Sequence, residues 1–327
     1  MTPTATGPRA GSRPSPPRPR LPRARLPGRP GQRSGWAALG VVWVVWGSTY
    51  LAIRVADQTL PPFAMAGARY LTAGLVLFPV ALAGQRRRRA AGPPRLAQWA
   101  GMAAVGTLLL AFGNGGVCYA ERTLPSGLTA LLVATVPLWM VLADWVINAR
   151  RPGARGWLAV ALGLAGVAVL ARPHGHGDVL AVLVVLGASM SWGTGSVLAG
   201  RLPAPDSPLL GSAMEMLAGG AVLAGIAAAS GQLAPAGLGQ VRGHSLLALA
   251  YLIGPGSLLA LTCYVIALRR LPTSAVSTYA YVNPVVAVSL GTLILGEPLT
   301  GSTLLGGVVI VAAVVLLVSR AAGEGRR

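Results

Sequence analysis

No lysine occurs among the 327 residues, and acidic residues number only eight, histidines three and cysteines two. Each scarcity removes a class of chemistry. Cys118 and Cys263 fall inside apolar runs at matching positions, so they read as small packing residues rather than a disulfide or a metal site. His174, His176 and His244 lie in or beside loops, with no fourth ligand at metal-binding spacing. An HExxH helix, a P-loop and a Gly-x-Ser-x-Gly elbow are all missing. The expectation is therefore of no catalytic residue, no metal and no cofactor. With every basic residue an arginine, and Ala, Gly and Pro abundant, the composition points to a GC-rich bacterial genome.

What the chain has in quantity is apolar sequence: 54% of residues are hydrophobic and 11% charged, outside the range of an ordinary soluble domain. Runs of about 20 apolar residues, each long enough to cross roughly 30 Å of hydrocarbon, recur along it. Ten are expected, near 36–56, 62–82, 97–120, 125–147, 155–171, 179–199, 208–230, 244–268, 273–296 and 300–319.

Two stretches follow one plan. Trp46-Gly47-Ser48-Thr49 returns as Trp192-Gly193-Thr194-Gly195 at an offset of 146, and Cys118-Tyr119 as Cys263-Tyr264 at 145. Leu124-Pro125-Ser126 with Pro137 returns as Leu271-Pro272-Thr273 with Pro284 at 147. The chain is a duplication, residues 36–171 and 179–319, with five helices in each copy. An odd number makes the second copy enter the membrane from the opposite side, so the repeats are inverted. That is the construction of alternating-access transporters, whose substrate site lies near the midplane between the copies.

The net charge of +19 raises the possibility of nucleic acid, and its placement answers it. With the N-terminus cytoplasmic, 22 arginines fall on the inside and four outside, Arg54, Arg122, Arg172 and Arg242. This asymmetry is the positive-inside rule, so both termini are expected in the cytoplasm and nucleic acid is not an expected partner. Residues 1–35, with nine Pro and eight Arg, cannot bury a core and read as a disordered basic tail that touches anionic lipid; 320–327 form a second short tail.

Several residues break the apolar pattern. Arg69 and Glu215 occupy equivalent positions, each about 10 Å below a surface, and their long side chains could nearly bridge the remaining gap. They read either as a functional charge or as a structural pair. Arg54, Glu121 and Asp144 sit at helix ends, where charges reach the interface. Pro137 and Pro284 fall midway along the fourth and ninth helices, each freeing a carbonyl, of Val133 and Ala280. They are candidate paired hinges beside a wet cavity. Around them gather Trp46, Thr49, Tyr50, Asn114, Trp139, Trp192, Tyr279, Tyr281 and Asn283, the candidate substrate-binding residues. Trp36, Trp99 and Trp157 read instead as interfacial anchors. Carboxylates alone titrate usefully within the bilayer, so proton coupling, if present, would run through Glu215 or Glu121.

The segments WGSTYLAIR at Trp46–Arg54, GNG at Gly113–Gly115, PSGLTALLVATVPL at Pro125–Leu138, STYAYVNPVVAV at Ser277–Val288 and GEPLT at Gly296–Thr300 resemble the EamA family of the drug/metabolite transporter superfamily, in its YedA-like branch. The likeness covers roughly 36–319. It implies an all-α membrane protein of ten transmembrane helices as two EamA repeats, exporting small metabolites or amphipathic compounds across a bacterial inner membrane. Amino acids or related compounds are the expected substrates, because the inferred cavity is aromatic and lacks a cluster of cations for phosphates. Exchange of substrates could replace proton coupling. A multidrug exporter is the alternative, and an intramembrane enzyme or receptor is the rival of another class.

Overall fold

The computed structural model describes residues 32–87, 93–170, 178–234 and 241–324, and among these there is helix and no strand. Among the described residues, seven helices are long and apolar enough to cross a membrane: α1 (Gln32–Ala56), α2 (Pro62–Gln85), α3 (Leu96–Ala120), α4 (Ser126–Asn148), α6 (Val179–Ala199), α7 (Pro208–Ala229) and α8 (Gly243–Arg270). Three shorter apolar helices complete the set: α5 (Ala154–Leu170), α9 (Tyr279–Leu295), preceded by the single turn Thr273–Val276, and α10, apolar over Gly301–Leu317 and helical to Glu324. The tail read over 1–35 lies outside the described residues as far as 31; residues 32–35, grouped with it by composition, form the first turn of α1.

Local sequence sets the boundaries. Pro62 and Pro208 open α2 and α7, where a missing N–H costs nothing. Asp178 precedes α6, and its carboxylate accepts from the Ala181 N–H at 3.2 Å. Helices α4 and α9 both end in a left-handed residue, Ala149 at φ 54° and Gly296 at φ 65°. The two are 147 residues apart, so the same cap is built twice, once without the residue suited to it.

The packing follows the duplication closely. Helix α2 lies along α7, its own counterpart, and α5 along α10, likewise. Helix α1 packs on α8 and α9, and its counterpart α6 packs on α3 and α4. Each repeat thus lends its first helix to the other repeat. Small residues permit the close approach: a Cβ at Gly47 would stand 2.6 Å from Val286, and one at the equivalent Gly193 would stand 2.8 Å from Trp139, itself the counterpart of Val286.

Two departures from regular helix are also duplicated. Helix α3 widens into a π turn at Thr107–Asn114 and α8 at Gly254–Leu259, again starting 147 residues apart. The fourth and ninth segments are interrupted as well, at Ala134–Thr135 and at Ser277–Thr278, and here the match is imperfect. Pro137 follows its break directly, near the start of the second half of α4. Pro284 lies inside the continuous helix α9, well after the break. The two prolines are equivalent in sequence but not in helical setting, which corrects the picture of matched mid-helix kinks: local capping, described below, decides where each chain breaks.

Left-handed backbone costs alanine about 1 kcal/mol relative to glycine. Replacing Ala149 by Gly should raise the thermal midpoint of the detergent-solubilised chain, and Gly296→Ala should lower it by a similar amount.

Candidate functional site

The candidate substrate residues divide between two walls related by the duplication. On the first, the Trp46 ring of α1 lies 5.2 Å from Tyr264 and 5.3 Å from Tyr279, with the two tyrosines 5.8 Å apart. Thr49 donates to the Trp46 carbonyl at 2.6 Å, and Tyr50 lies beside them within electrostatic reach of Tyr279 and Glu121. Asn283, with its amide nitrogen turned toward them, donates to the carbonyls of Tyr279 at 3.3 Å and Trp43 at 3.2 Å. On the second wall Trp192 of α6 sits against Gly113, Trp139 donates to Thr135 at 3.2 Å, and Asn114 accepts from the Cys118 thiol at 3.6 Å. Tyr281 belongs to neither; it packs on the apolar cluster shared by α4, α5, α6 and α10.

Each helix break carries the same device. Thr135 donates to the Leu132 carbonyl at 2.7 Å and accepts from the Trp139 indole. Thr278 donates to the Ala275 carbonyl at 2.6 Å and accepts from the Trp43 indole at 3.1 Å. A hydroxyl thus adds a second hydrogen bond to a carbonyl that already accepts the backbone N–H of the same threonine, while an indole occupies the hydroxyl. Tyr264 and Thr278 were not among the candidates read from sequence. The repetition of Cys118-Tyr119 as Cys263-Tyr264 was the signal for the first, and the second carried none.

Charge gathers where α1, α2, α3 and α8 meet. Arg69, 4% exposed, donates from Nε to Ser257 at 2.9 Å, its guanidinium carbon 4.8 Å over the Tyr70 ring, while its Nη1 has no hydrogen-bond partner. Ser257 sits in the widened turn of α8 and donates in turn to the Leu252 carbonyl at 2.9 Å. Pro255 has no N–H to offer inside that turn. The arginine is therefore held by the irregularity of α8.

Glu215 is elsewhere. Arg69 reaches Ser257 of α8, whereas the backbone of Glu215 lies against Gly106 of α3. No ion pair within 4.0 Å joins them, and the bridging suggested by their matched positions is not made.

Glu121, whose position at the end of α3 suggested a solvated charge, is fully buried, with no hydrogen-bond partner on either carboxyl oxygen. Its carbonyl accepts from Arg54 of α1. Burial pushes its carboxyl well above the ordinary range; Asp57 and Glu297 act in the same direction, and Arg54 and Arg69 oppose them. Asp57, just past α1, also has two buried, unpartnered oxygens, and burial raises it to about 8 against Arg122 and Arg54. Asp57 was missed in the sequence because a carboxylate one residue past an apolar run reads as solvated.

Glu297 has a different task. Its carboxylate accepts from the Ser126 N–H at 2.7 Å, the Ser126 hydroxyl at 3.0 Å and the Gly127 N–H at 3.1 Å, capping the start of α4 from the turn before α10. At the opposite end of α4, Asp144 accepts from Asn148 one turn on.

A helical membrane protein with a duplicated, cross-packed core and a buried charge cluster at one end is built as a transporter, and comparison with known proteins agrees. Residues 34–172 and 179–319 each match the EamA-like transporter family, and the chain belongs to that family. It is 38% identical over 282 residues to the uncharacterized inner membrane transporter YedA of Escherichia coli K12, covering 86% of this chain and 89% of YedA. A probable amino-acid metabolite efflux pump of Salmonella typhimurium LT2 is 26% identical over 292 residues, covering 86% and 93%. The threonine/homoserine exporter RhtA of that strain is 31% identical over 199 residues, covering 59% and 62%. A solved structure 19% identical superposes with a TM-score of 0.56 over 89% of this chain and 98% of its own, which establishes the shared fold.

Each hydrogen bond to a charged acceptor contributes about 1.5–3 kcal/mol. Glu297→Ala should therefore lower the unfolding midpoint by far more than Glu297→Gln, which keeps one acceptor oxygen for Ser126 and Gly127; thermal denaturation in detergent provides the comparison.

Proposed function

We propose that this chain is a secondary exporter of small metabolites, amino acids or related compounds, working by alternating access in a bacterial inner membrane. The observation that carries the reading is the cross-packing of α1 on α8 and α9 with its twofold mate, α6 on α3 and α4. Two inverted halves that share their first helices can exchange one packing for its mirror, which opens the aromatic walls to either side in turn. A one-sided active site has no use for that symmetry.

The same geometry supports ten crossings with both termini cytoplasmic. Segments assigned to the outside meet one another: Arg54 with Glu121, Thr59 with Ser245, and Ser126 with Glu297. Segments assigned to the inside do likewise, Gln98 with Ala204 and Ser34 with Arg270. The substrate would lie between Trp46, Tyr264 and Tyr279 on one side and Trp139 and Trp192 on the other. The breaks near Pro137 and Pro284 would act as the moving joints.

For coupling, Glu121 is the better carboxyl. Burial without partners favours its protonated form, and the guanidinium groups of Arg54 and Arg69 favour the ionised one. A proton can therefore be taken up or released as these neighbours move. Glu215 has no such arginine beside it.

Counterflow of labelled amino acids into vesicles reconstituted with the purified chain tests the reading. Export of at least one is expected; no flux across a broad metabolite panel would overturn it, and resistance only to large lipophilic cations in overexpressing cells would favour the multidrug alternative. Glu121→Gln mimics the protonated state permanently. Transport driven by a pH gradient should then fall to the gradient-free level while substrate exchange persists, and an unchanged pH dependence would remove Glu121 from the mechanism.

A further inference from the structure

Two cavities beyond the aromatic walls share the start of α2, the end of α3 and the end of α7, and their linings are opposite in kind. One, of about 510 Å³, is polar: Arg122, Arg242 and His244 are exposed in it, with Gln58 and Gln232 beside them. The other, of about 570 Å³, is apolar, with Phe63, Phe112, Tyr119, Val184, Gly187 and Ile226 in its lining. The two adjoin along the chain. Pro62 of the first directly precedes Phe63 of the second, and Arg122 lies one turn beyond Tyr119.

The polar cavity is fixed and cationic. Thr59, in the α1–α2 turn, donates to Ser245 at 2.7 Å and accepts from the Arg242 N–H at 3.2 Å, which ties that turn to the start of α8. Gln232, just past α7, accepts from the N–H groups of Phe63 and Ala64 at 3.0 and 3.3 Å, capping α2. Neither guanidinium has a carboxylate within 4.0 Å among the described residues. Asp57 is the one acid in this lining; its carboxyl oxygens are buried, and burial raises it to about 8 although Arg122 and Arg54 pull it down. At neutral pH it is mostly protonated and does not cancel the arginines. On the topology proposed above only four arginines fall outside, and two of them, 120 residues apart in the chain, meet at this cavity.

The apolar cavity opens outward: Phe112 is 53% exposed and Tyr119 38%, the latter stacked on Phe63 at 5.8 Å. A Cβ at Gly187 would meet nothing within 4 Å, so the groove is clear there. Its one serine, Ser191, already donates to the Leu108 carbonyl at 2.8 Å. From Tyr119 to Ala111 the groove follows α3 for eight residues, about 12 Å, against about 15 Å of hydrocarbon in one leaflet. We infer that the two cavities form one site for an anionic phospholipid, with its phosphate on Arg122 and Arg242 and one acyl chain along Phe63, Phe112 and Tyr119. Guanidinium groups suit phosphate oxygens, and the groove offers ring and hydrocarbon surface rather than charge. A free anion would use the first cavity and leave the second empty. Placement of the lipid in the outer leaflet rests on the proposed topology; the site itself does not, nor does it depend on export.

Native mass spectrometry of the purified full chain, titrated with dioleoyl phosphatidylglycerol or dioleoyl phosphatidylcholine, is the test, with glycerol phosphate as the headgroup without chains. Phosphatidylglycerol should bind at least about tenfold tighter than phosphatidylcholine, and glycerol phosphate at least about a hundredfold more weakly than the whole lipid. Arg122→Gln and Arg242→Gln, both at exposed positions, should cost about fivefold each and together remove the preference for the anionic lipid. Gly187→Leu fills the groove at an open position and should weaken both lipids about tenfold. Gly84→Leu, equally open but at the far end of α2, should change neither. Equal binding of the two lipids, a preference that survives the double arginine variant, or equal effects of Gly187→Leu and Gly84→Leu would each overturn the assignment. Glycerol phosphate binding as tightly as the lipid would leave a free-anion site at the polar cavity and would overturn it too.

Discussion

The constraint on which this architecture rests is that a backbone carbonyl or N–H in hydrocarbon must find a partner inside the protein. Regular helix satisfies it automatically, and among the described residues four places stand out where a membrane-spanning segment breaks or widens. At each, a small hydroxyl donates to a nearby backbone carbonyl. Thr135 and Thr278 bond the carbonyls three residues earlier. Ser257 bonds Leu252 across the widened turn of α8. In α3, the Ser191 hydroxyl of α6 reaches across to the Leu108 carbonyl at 2.8 Å, within the matching π turn. The irregular backbone therefore sits where helices of the opposite repeat can reach it, and the cross-packing of α1 and α6 follows from the same requirement.

The helices themselves were legible in the sequence because an apolar run of sufficient length has no alternative in a bilayer. The duplication was legible through Trp46 and Trp192, Cys118 and Cys263, and Pro137 and Pro284. What the equal spacing could not convey is that equivalent residues acquire unlike surroundings. Pro137 follows a break because Thr135 and Trp139 stabilise the turn before it, whereas the corresponding break in the second repeat forms earlier, at Thr278, where Trp43 of α1 supplies the indole. The π turns were hidden for a related reason. Gly254-Pro255-Gly256 was a visible sign of disturbance, but whether a helix kinks or widens there depends on Ser257 finding both Leu252 and Arg69.

The charge cluster was the least legible part. Arg69 stands out as an arginine in the middle of an apolar helix, yet its partner is a serine from the other repeat rather than the acid at the matching position. Asp57 and Glu121 look like ordinary helix-end charges, and only the convergence of α1, α2, α3 and α8 buries them. Sequence spacing specifies which residues are related by the twofold; it does not specify which of them the twofold brings together.

That distinction bears on how such a molecule can have a direction. Two identical inverted halves would open inward and outward with equal free energy, because each state is the mirror of the other. This chain keeps the symmetry in its shape and abandons it in its charge. The positions at an offset of 146 from Arg54, Asp57 and Glu121 are Gly200, Pro203 and Ala267, none of which carries charge. Glu297 caps α4, while the corresponding turn of the first repeat offers arginines. Buried carboxyls and guanidiniums at one end make the stability of that end depend on protonation, and among the described residues the other end has no comparable buried cluster. On the alternating-access reading proposed above, the two open states would then be unequal, and the difference between them would vary with pH through Glu121 and Asp57. On that reading the symmetric scaffold supplies the movement, and the unsymmetrical charges bias it.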